Sequence, residues 1–169
     1  MSRFRTILVP IDFSPTAQHA LDTAILLARE SGGRVHLLHA YEIPLGTIPP
    51  YGVAIPDSLL GDVRDAAARR LEKAAHRVEA AGVACETQIL HAPPAEGIVE
   101  AARACGADLI VMGTRGLTGL RHVLLGSVAE RTVRLAGQAV RGVALGVVIT
   151  ALVQSLIAGI GLWLTGVPR

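Results

Sequence analysis

The sequence predicts an α/β fold built on a parallel sheet, and three observations carry that reading. Apolar runs of strand length recur at 6–12, 35–40, 85–90 and 108–112. Amphipathic stretches of helix length lie between them, bounded by Gly, Pro or Ser. The connections are too long for hairpins, so the order βαβαβαβα implies parallel strands with helices on both faces.

The first run, Thr6-Ile-Leu-Val-Pro-Ile-Asp12, reads as a central strand that stops at Pro10 and Asp12. Ser14 then suits an N-cap and Pro15 the first helical position. Ala17, Ala20, Leu21, Ala24, Leu27 and Ala28 recur at helical spacing as far as Glu30, and Gly32-Gly33 stops that helix. The strand over 35–40 leads into a segment, 41–56, that holds four prolines and reads as a surface loop. A long Ala- and Arg-rich amphipathic helix is expected over 57–81, closed by Gly82. Residues 85–90 alternate as a third strand, His91-Ala-Pro-Pro94 makes a turn, and a third helix covers 95–104 before Gly106. The fourth strand is Asp108-Leu-Ile-Val-Met112, and a last helix begins at Ser127.

Composition removes several functions. With 169 residues there is room for one domain and a short appendage. The net charge of +2 comes without a basic run, and one Trp, two Tyr and two Phe cannot build a base-stacking surface, so no nucleic-acid partner is expected. Cys85 and Cys105 stand apart without CxxC spacing and read as reduced thiols. The N-terminus, Met-Ser-Arg-Phe-Arg5, runs directly into a strand with no signal-peptide core, which predicts a cytoplasmic domain. No metal-ligand spacing links His36, His39, His91 and His122, and no nucleophile–base pair is legible. No catalytic residue is assigned, and at most a slow, incidental turnover is expected.

The chemistry concentrates between the fourth strand and the last helix, where glycines stand as Gly113-x2-Gly116-x9-Gly126-Ser127. Glycine lets main-chain amides approach a ligand with no Cβ in the way. A helix N-terminus adds free N–H groups and a partial positive charge, a combination suited to phosphate. In an open parallel sheet ligands bind beyond the carboxyl ends of the strands, where strand order reverses. Asp12, the His39-Ala40 strand end and Gly113 all fall at such ends.

At these residues the chain resembles the nucleotide-binding branch of the universal stress protein (UspA-like) family, over about residues 4–136. The resemblance is carried by Ile7-Leu-Val-Pro-Ile-Asp-Phe-Ser14, the Gly113 to Ser127 loop and Val128-Ala-Glu-Arg131. It implies an adenine nucleotide α-hydrolase-like sandwich that binds ATP, with Mg2+ as an optional companion. Position by position, it sets adenine and ribose against Pro10, Ile11, Asp12 and Ala40, with Met112 at the neighbouring strand end. It sets the triphosphate along Gly113, Arg115, Gly116, Gly126, Ser127 and Val128. The chemistry is compatible: a carboxylate accepts from ribose or adenine donors, and guanidinium groups at Arg115 and Arg121 complement phosphate. Plainer readings stand beside these. Ser127-x-x-Glu130 is also a capping box, Asp12 is also a turn former, and Arg115 is also a solvated loop charge.

The C-terminus departs from that family. Its members continue into a proline-containing turn and a fifth apolar strand that commonly mediates a homodimer; here 142–168 is a stretch of 27 residues without a charge. Mean hydropathy over the whole chain is +0.47. Residues 143–167, at roughly 1.5 Å per residue, are long enough for a hydrocarbon core about 30 Å thick. Arg131, Arg134 and Arg141 before them favour a domain anchored on the cytoplasmic side of the inner membrane. The run from Gly137 onward is similar to a transmembrane stretch of the autoinducer-2 exporter-like permease family. The expected organisation is therefore a nucleotide-binding domain over 1–137 and a hydrophobic tail over 138–169. An apolar helix packed on the sheet, or a regulatory fragment of a permease fusion, remains open for that tail.

Overall fold

The computed structural model describes residues 4–42, 57–114 and 126–137, with side chains described for residues 61–114 of the second stretch. The chain divides into two compact units, Met1–Thr132 and Val133–Arg169, and the sheet lies in the first. Its elements run β1 (Thr6–Pro10), α1 (Pro15–Ser31), β2 (Arg34–Tyr41), α2 (Asp57–Ala80), β3 (Cys85–His91), α3 (Pro94–Ala104) and β4 (Leu109–Ile110). A further helix, α4, covers 127–137. All strand pairs are parallel, in the order β3-β2-β1-β4.

The expected elements form, with shifted ends. β1 stops at Pro10, whose ring nitrogen has no proton for the ladder, although Ile11 N–H still reaches Leu38 O at 2.8 Å. β4 has two residues where four or five were expected, because only Leu109 and Ile110 find ladder partners on β1, at Ile7 and Leu8. Val111 N–H adds one more bond, to Leu8 O at 2.9 Å. α3 begins at Pro94, the residue assigned from sequence to the preceding turn, since proline at a first helical position loses no needed donor.

Strand alternation divides the interior into two layers. Ile7, Val9, Val35 and Leu37 point to one side and are buried with Leu21 and Ala24 of α1 and Leu71, Ala74 and Val78 of α2. Leu8 and Leu38 point to the other and meet Ile98 and Ala101 of α3. This two-sided burial explains why β1 reads as an unbroken apolar run rather than an alternating one. α1 is defined at both ends: the Ser14 hydroxyl accepts from Ala17 N–H at 3.2 Å, and Gly32 closes the helix in the left-handed region at φ 65°.

Order reverses at β1, because the chain winds from β1 through β2 to β3 and then returns to β4 on the far side of β1. The crevice expected of a doubly wound sheet thus falls between the carboxyl ends of β1 and β4. Asp108 fixes the opposite end of the same pair. Its Oδ2 accepts from the main-chain N–H of Arg5 at 2.7 Å and of Thr6 at 3.0 Å. Those two bonds, Thr6 first, hold its carboxyl below the ordinary value of 3.8.

Among the described residues, no helix is long and apolar enough to cross a membrane. The expected hydrophobic tail over 138–169 and the question of a fifth strand lie outside the described residues.

A lowered folded-state pKa stabilises the fold in full above the unfolded value and ceases to do so as pH falls through the folded one. Asp108→Asn is therefore expected to lower the melting temperature at neutral pH. The gap from the parent should close as Asp108 itself becomes protonated below 3.8, which melts taken at stepwise lower pH will read.

Candidate functional site

The turn that leaves β1 is built from strain and its compensation. Phe13 has φ 64°, the one positive value among the described non-glycine residues. For a bulky residue that conformation costs about 1–3 kcal/mol. Three interactions offset it. Asp12 Oδ1 accepts the Ser14 N–H at 2.9 Å, closing an Asx turn. His39 Nδ1 lies 2.8 Å from the Ile11 carbonyl oxygen. The Phe13 ring sits 4.8 Å from the His39 ring, centroid to centroid, with the Arg70 guanidinium 4.1 Å above it. A ring pair and a cation over a ring contribute roughly 0.5–1.5 and 0.5–1 kcal/mol. Together with the two hydrogen bonds they are of the size needed to hold the turn.

The chain leaving β4 meets this turn directly. A Cβ placed on Gly113 would lie 3.0 Å from the Thr16 carbonyl carbon and hydroxyl oxygen and 3.1 Å from the Ala17 nitrogen. Gly113 therefore answers to close packing against the first turn of α1, whatever it does for a ligand. Immediately after it, the Thr114 carbonyl accepts the Gly126 N–H at 2.6 Å, so the two ends of the glycine loop are tied together.

α4 starts at that tie. Glu130 N–H donates to the Gly126 carbonyl at 3.0 Å, which makes Gly126 the N-cap and Ser127 the first helical residue. The capping-box reading of Ser127-x-x-Glu130 is corrected accordingly: the cap lies one residue earlier, at a glycine with no side chain to accept an amide proton. Ser127 is exposed, and its hydroxyl has no hydrogen-bond partner among the described residues. The N–H groups of Ser127, Val128 and Ala129 precede the first helical bond, so the helix itself leaves them without partners. Together they can receive an anion. Arg131, one turn further on, is paired with Glu96 of α3 and so braces α4 against α3.

The structure brings together much of the expected set. Pro10, Asp12, Ala40, Met112 and Gly113 lie at the carboxyl ends of β1, β2 and β4 and are all part-buried. Ala40 and Met112 border the α3 side of the sheet. Two residues are refined. The Ile11 side chain is buried on the opposite side, with α1 and α2, and both its main-chain groups are engaged, with Leu38 and His39. Gly126 uses its N–H on Thr114, so what it offers a ligand is shape rather than a donor. Val128 is exposed at the helix start. Arg115, Gly116, Arg121 and His122 lie outside the described residues.

Sequence reasoning missed Phe13, His39 and Arg70. The histidine was assigned to a strand end with no role, and nothing local shows that it reaches a carbonyl 28 residues earlier. Of the cysteines, Cys85 is no nucleophile: burial first, then the Glu79 and Glu86 carboxylates, push its thiol up to about 11. No group of three or more potential metal ligands occurs among the described residues.

Comparison with known proteins identifies relatives of this chain. The family model described as the universal stress protein family matches residues 3–140. Universal stress protein MJ0531 of Methanocaldococcus jannaschii is 37% identical over 133 residues, spanning 78% of this chain and 76% of that protein. The solved structure of protein MJ0577 superposes with a TM-score of 0.69 at 29% identity, over 78% of this chain and 90% of that one. A universal stress protein solved in complex with cAMP matches with a TM-score of 0.57 at 28% identity, over 79% and 91% of the two chains. A separate, shorter match joins 33% of this chain to 16% of YdiK of Escherichia coli, a protein named for transport, at 51% identity over 59 residues.

Gly113→Ala is expected to destabilise the fold by about 1–3 kcal/mol, since main-chain atoms of α1 cannot yield as a flexible side chain would. Chemical denaturation without any nucleotide measures this. An unchanged midpoint would show that the close approach relaxes freely.

Proposed function

The chain belongs to the universal stress protein family, and from that membership we propose that it is an adenine-nucleotide-binding module, with ATP as its ligand. The observation that carries the proposal is the meeting of three features at one sheet edge: the Asp12 turn, the Gly113 crossing and the α4 opening, whose first amides the helix itself leaves unpaired. In this reading the Asp12 carboxylate accepts from ribose or base donors, and Pro10, Ala40 and Met112 supply apolar contact for the base. The amides of Ser127 and Val128 and the Ser127 hydroxyl donate to phosphate oxygens. Gly116 keeps the loop open to the phosphates, and Arg115 adds positive charge. Mg2+, when it accompanies ATP, neutralises charge between phosphate oxygens. The similarity to a protein crystallised with cAMP supports an adenine base in particular.

The output of such a module is a population shift: nucleotide favours one arrangement of the glycine loop, and a partner reads it. We further propose that the nucleotide-binding domain spans 1–137 and that 143–167 tethers it to the cytoplasmic face of the inner membrane. The uncharged run of 142–168 and the short likeness to YdiK favour that tether. Fractionation of cells expressing the full chain tests it: recovery of intact protein in the soluble fraction overturns the tether and leaves the nucleotide reading standing.

Calorimetric titration of the full-length protein with ATP, in detergent where required, tests the nucleotide. Gly116→Val and Gly126→Val are each expected to weaken binding at least about tenfold, equivalent to roughly 1.4 kcal/mol. Parent-like affinity in both variants would overturn the assignment of the glycine loop.

A further inference from the structure

Four rings follow one another along the carboxyl edge of the sheet. Phe13 lies 4.8 Å from His39, His39 lies 6.1 Å from Tyr41, and Tyr41 lies 5.1 Å from His91, centroid to centroid. His39 and Tyr41 continue the alternation of Val35 and Leu37, so they project toward the α1 and α2 layer, away from Ala40. The row is therefore separate from the proposed nucleotide crevice. One bond joins the two: His39 Nδ1 to the Ile11 carbonyl, immediately before Asp12.

We propose that His39 is a positioning residue for the nucleotide site, holding the Ile11–Asp12 peptide so that the Asp12 carboxylate stays turned toward the ligand. The proposal rests on the adenine-nucleotide reading above. A carbonyl oxygen only accepts, so Nδ1 carries the proton and His39 donates. The restraint matters because the following residue, Phe13, is held at φ 64°, in a region that its side chain disfavours. A turn under that strain has lower-energy alternatives, and in them Asp12 turns elsewhere. The Asx bond from Ser14 to Asp12 lies within the turn and moves with it. The His39 bond comes from a neighbouring strand, and so does not. Arg70, with its guanidinium over the Phe13 ring, assists from α2. Losing the His39 donor lowers the fraction of molecules with a competent turn, and apparent affinity falls by that fraction.

Three variants in the full-length protein test this, each titrated with ATP and melted without it. In His39→Asn the side-chain amide nitrogen falls near the position of Nδ1, whereas in His39→Gln it falls near Nε2; His39→Leu has no donor. The expected result is ATP affinity about five- to tenfold weaker in the Leu and Gln variants, the size of one lost hydrogen bond, with near-parental affinity in the Asn variant. A role confined to packing would lower the melting temperature of all three and leave their affinities together. Parental affinity in His39→Gln, or no recovery in His39→Asn, overturns the proposal while the nucleotide reading stands. Failure of the parent protein to bind ATP overturns the nucleotide reading and this proposal with it.

Discussion

The contact on which this fold depends is the close approach of the chain leaving β4 to the first turn of α1. With Gly113 set against the main chain of Thr16 and Ala17, the carboxyl ends of β1 and β4 are drawn into one wall. A Cβ at Gly113 would press on the main chain of Thr16 and Ala17, so the start of α1 or the chain after β4 would have to give by a few tenths of an ångström. The rest of the site is arranged around that approach: the Asp12 turn on one side, and the Thr114–Gly126 bond that returns the chain to α4 on the other.

Because the ends are pinned, the strain in the β1–α1 turn can persist. A left-handed phenylalanine would relax in a free loop, where nothing opposes the rotation. Here Ser14 caps α1 below it, His39 holds the carbonyl before it, and Arg70 covers its ring. Strained residues survive where their surroundings over-determine them, and such places tend to be functional. The opposite end of the β1–β4 pair is held by Asp108 through two main-chain bonds. This central pair is thus fixed below by a carboxylate and above by glycine packing, despite a fourth strand of only two residues.

Much of the scaffold was legible from the residues because it rests on local rules. Ser14-Pro15 announces a helix start, Gly32 its end, and buried parallel strands appear as runs such as Ile7-Leu-Val9. Errors arose where neighbours decide. The length of β4 depends on how much of β1 remains to pair with it. The cap of α4 moved from Ser127 to Gly126 because the loop closes on Thr114, across a gap that periodicity does not encode. For Ile11, which the resemblance sets beside the base and ribose, the fold adds that its side chain belongs to the core and its main-chain groups are engaged.

By itself, the sequence determined the α/β class, the order of strands and helices, and the glycine spacing between the fourth strand and the last helix, because each follows from patterns within about a dozen residues. It also determined the family resemblance, through residues 7–14 and 113–131. Only the tertiary structure decided that strand order reverses at β1, that Gly113 serves packing, and that His39 reaches across from β2 to the turn beside Asp12. These are distances between residues far apart in the chain. They come into being when the strands pair and the helices close on them, and no local preference contains them.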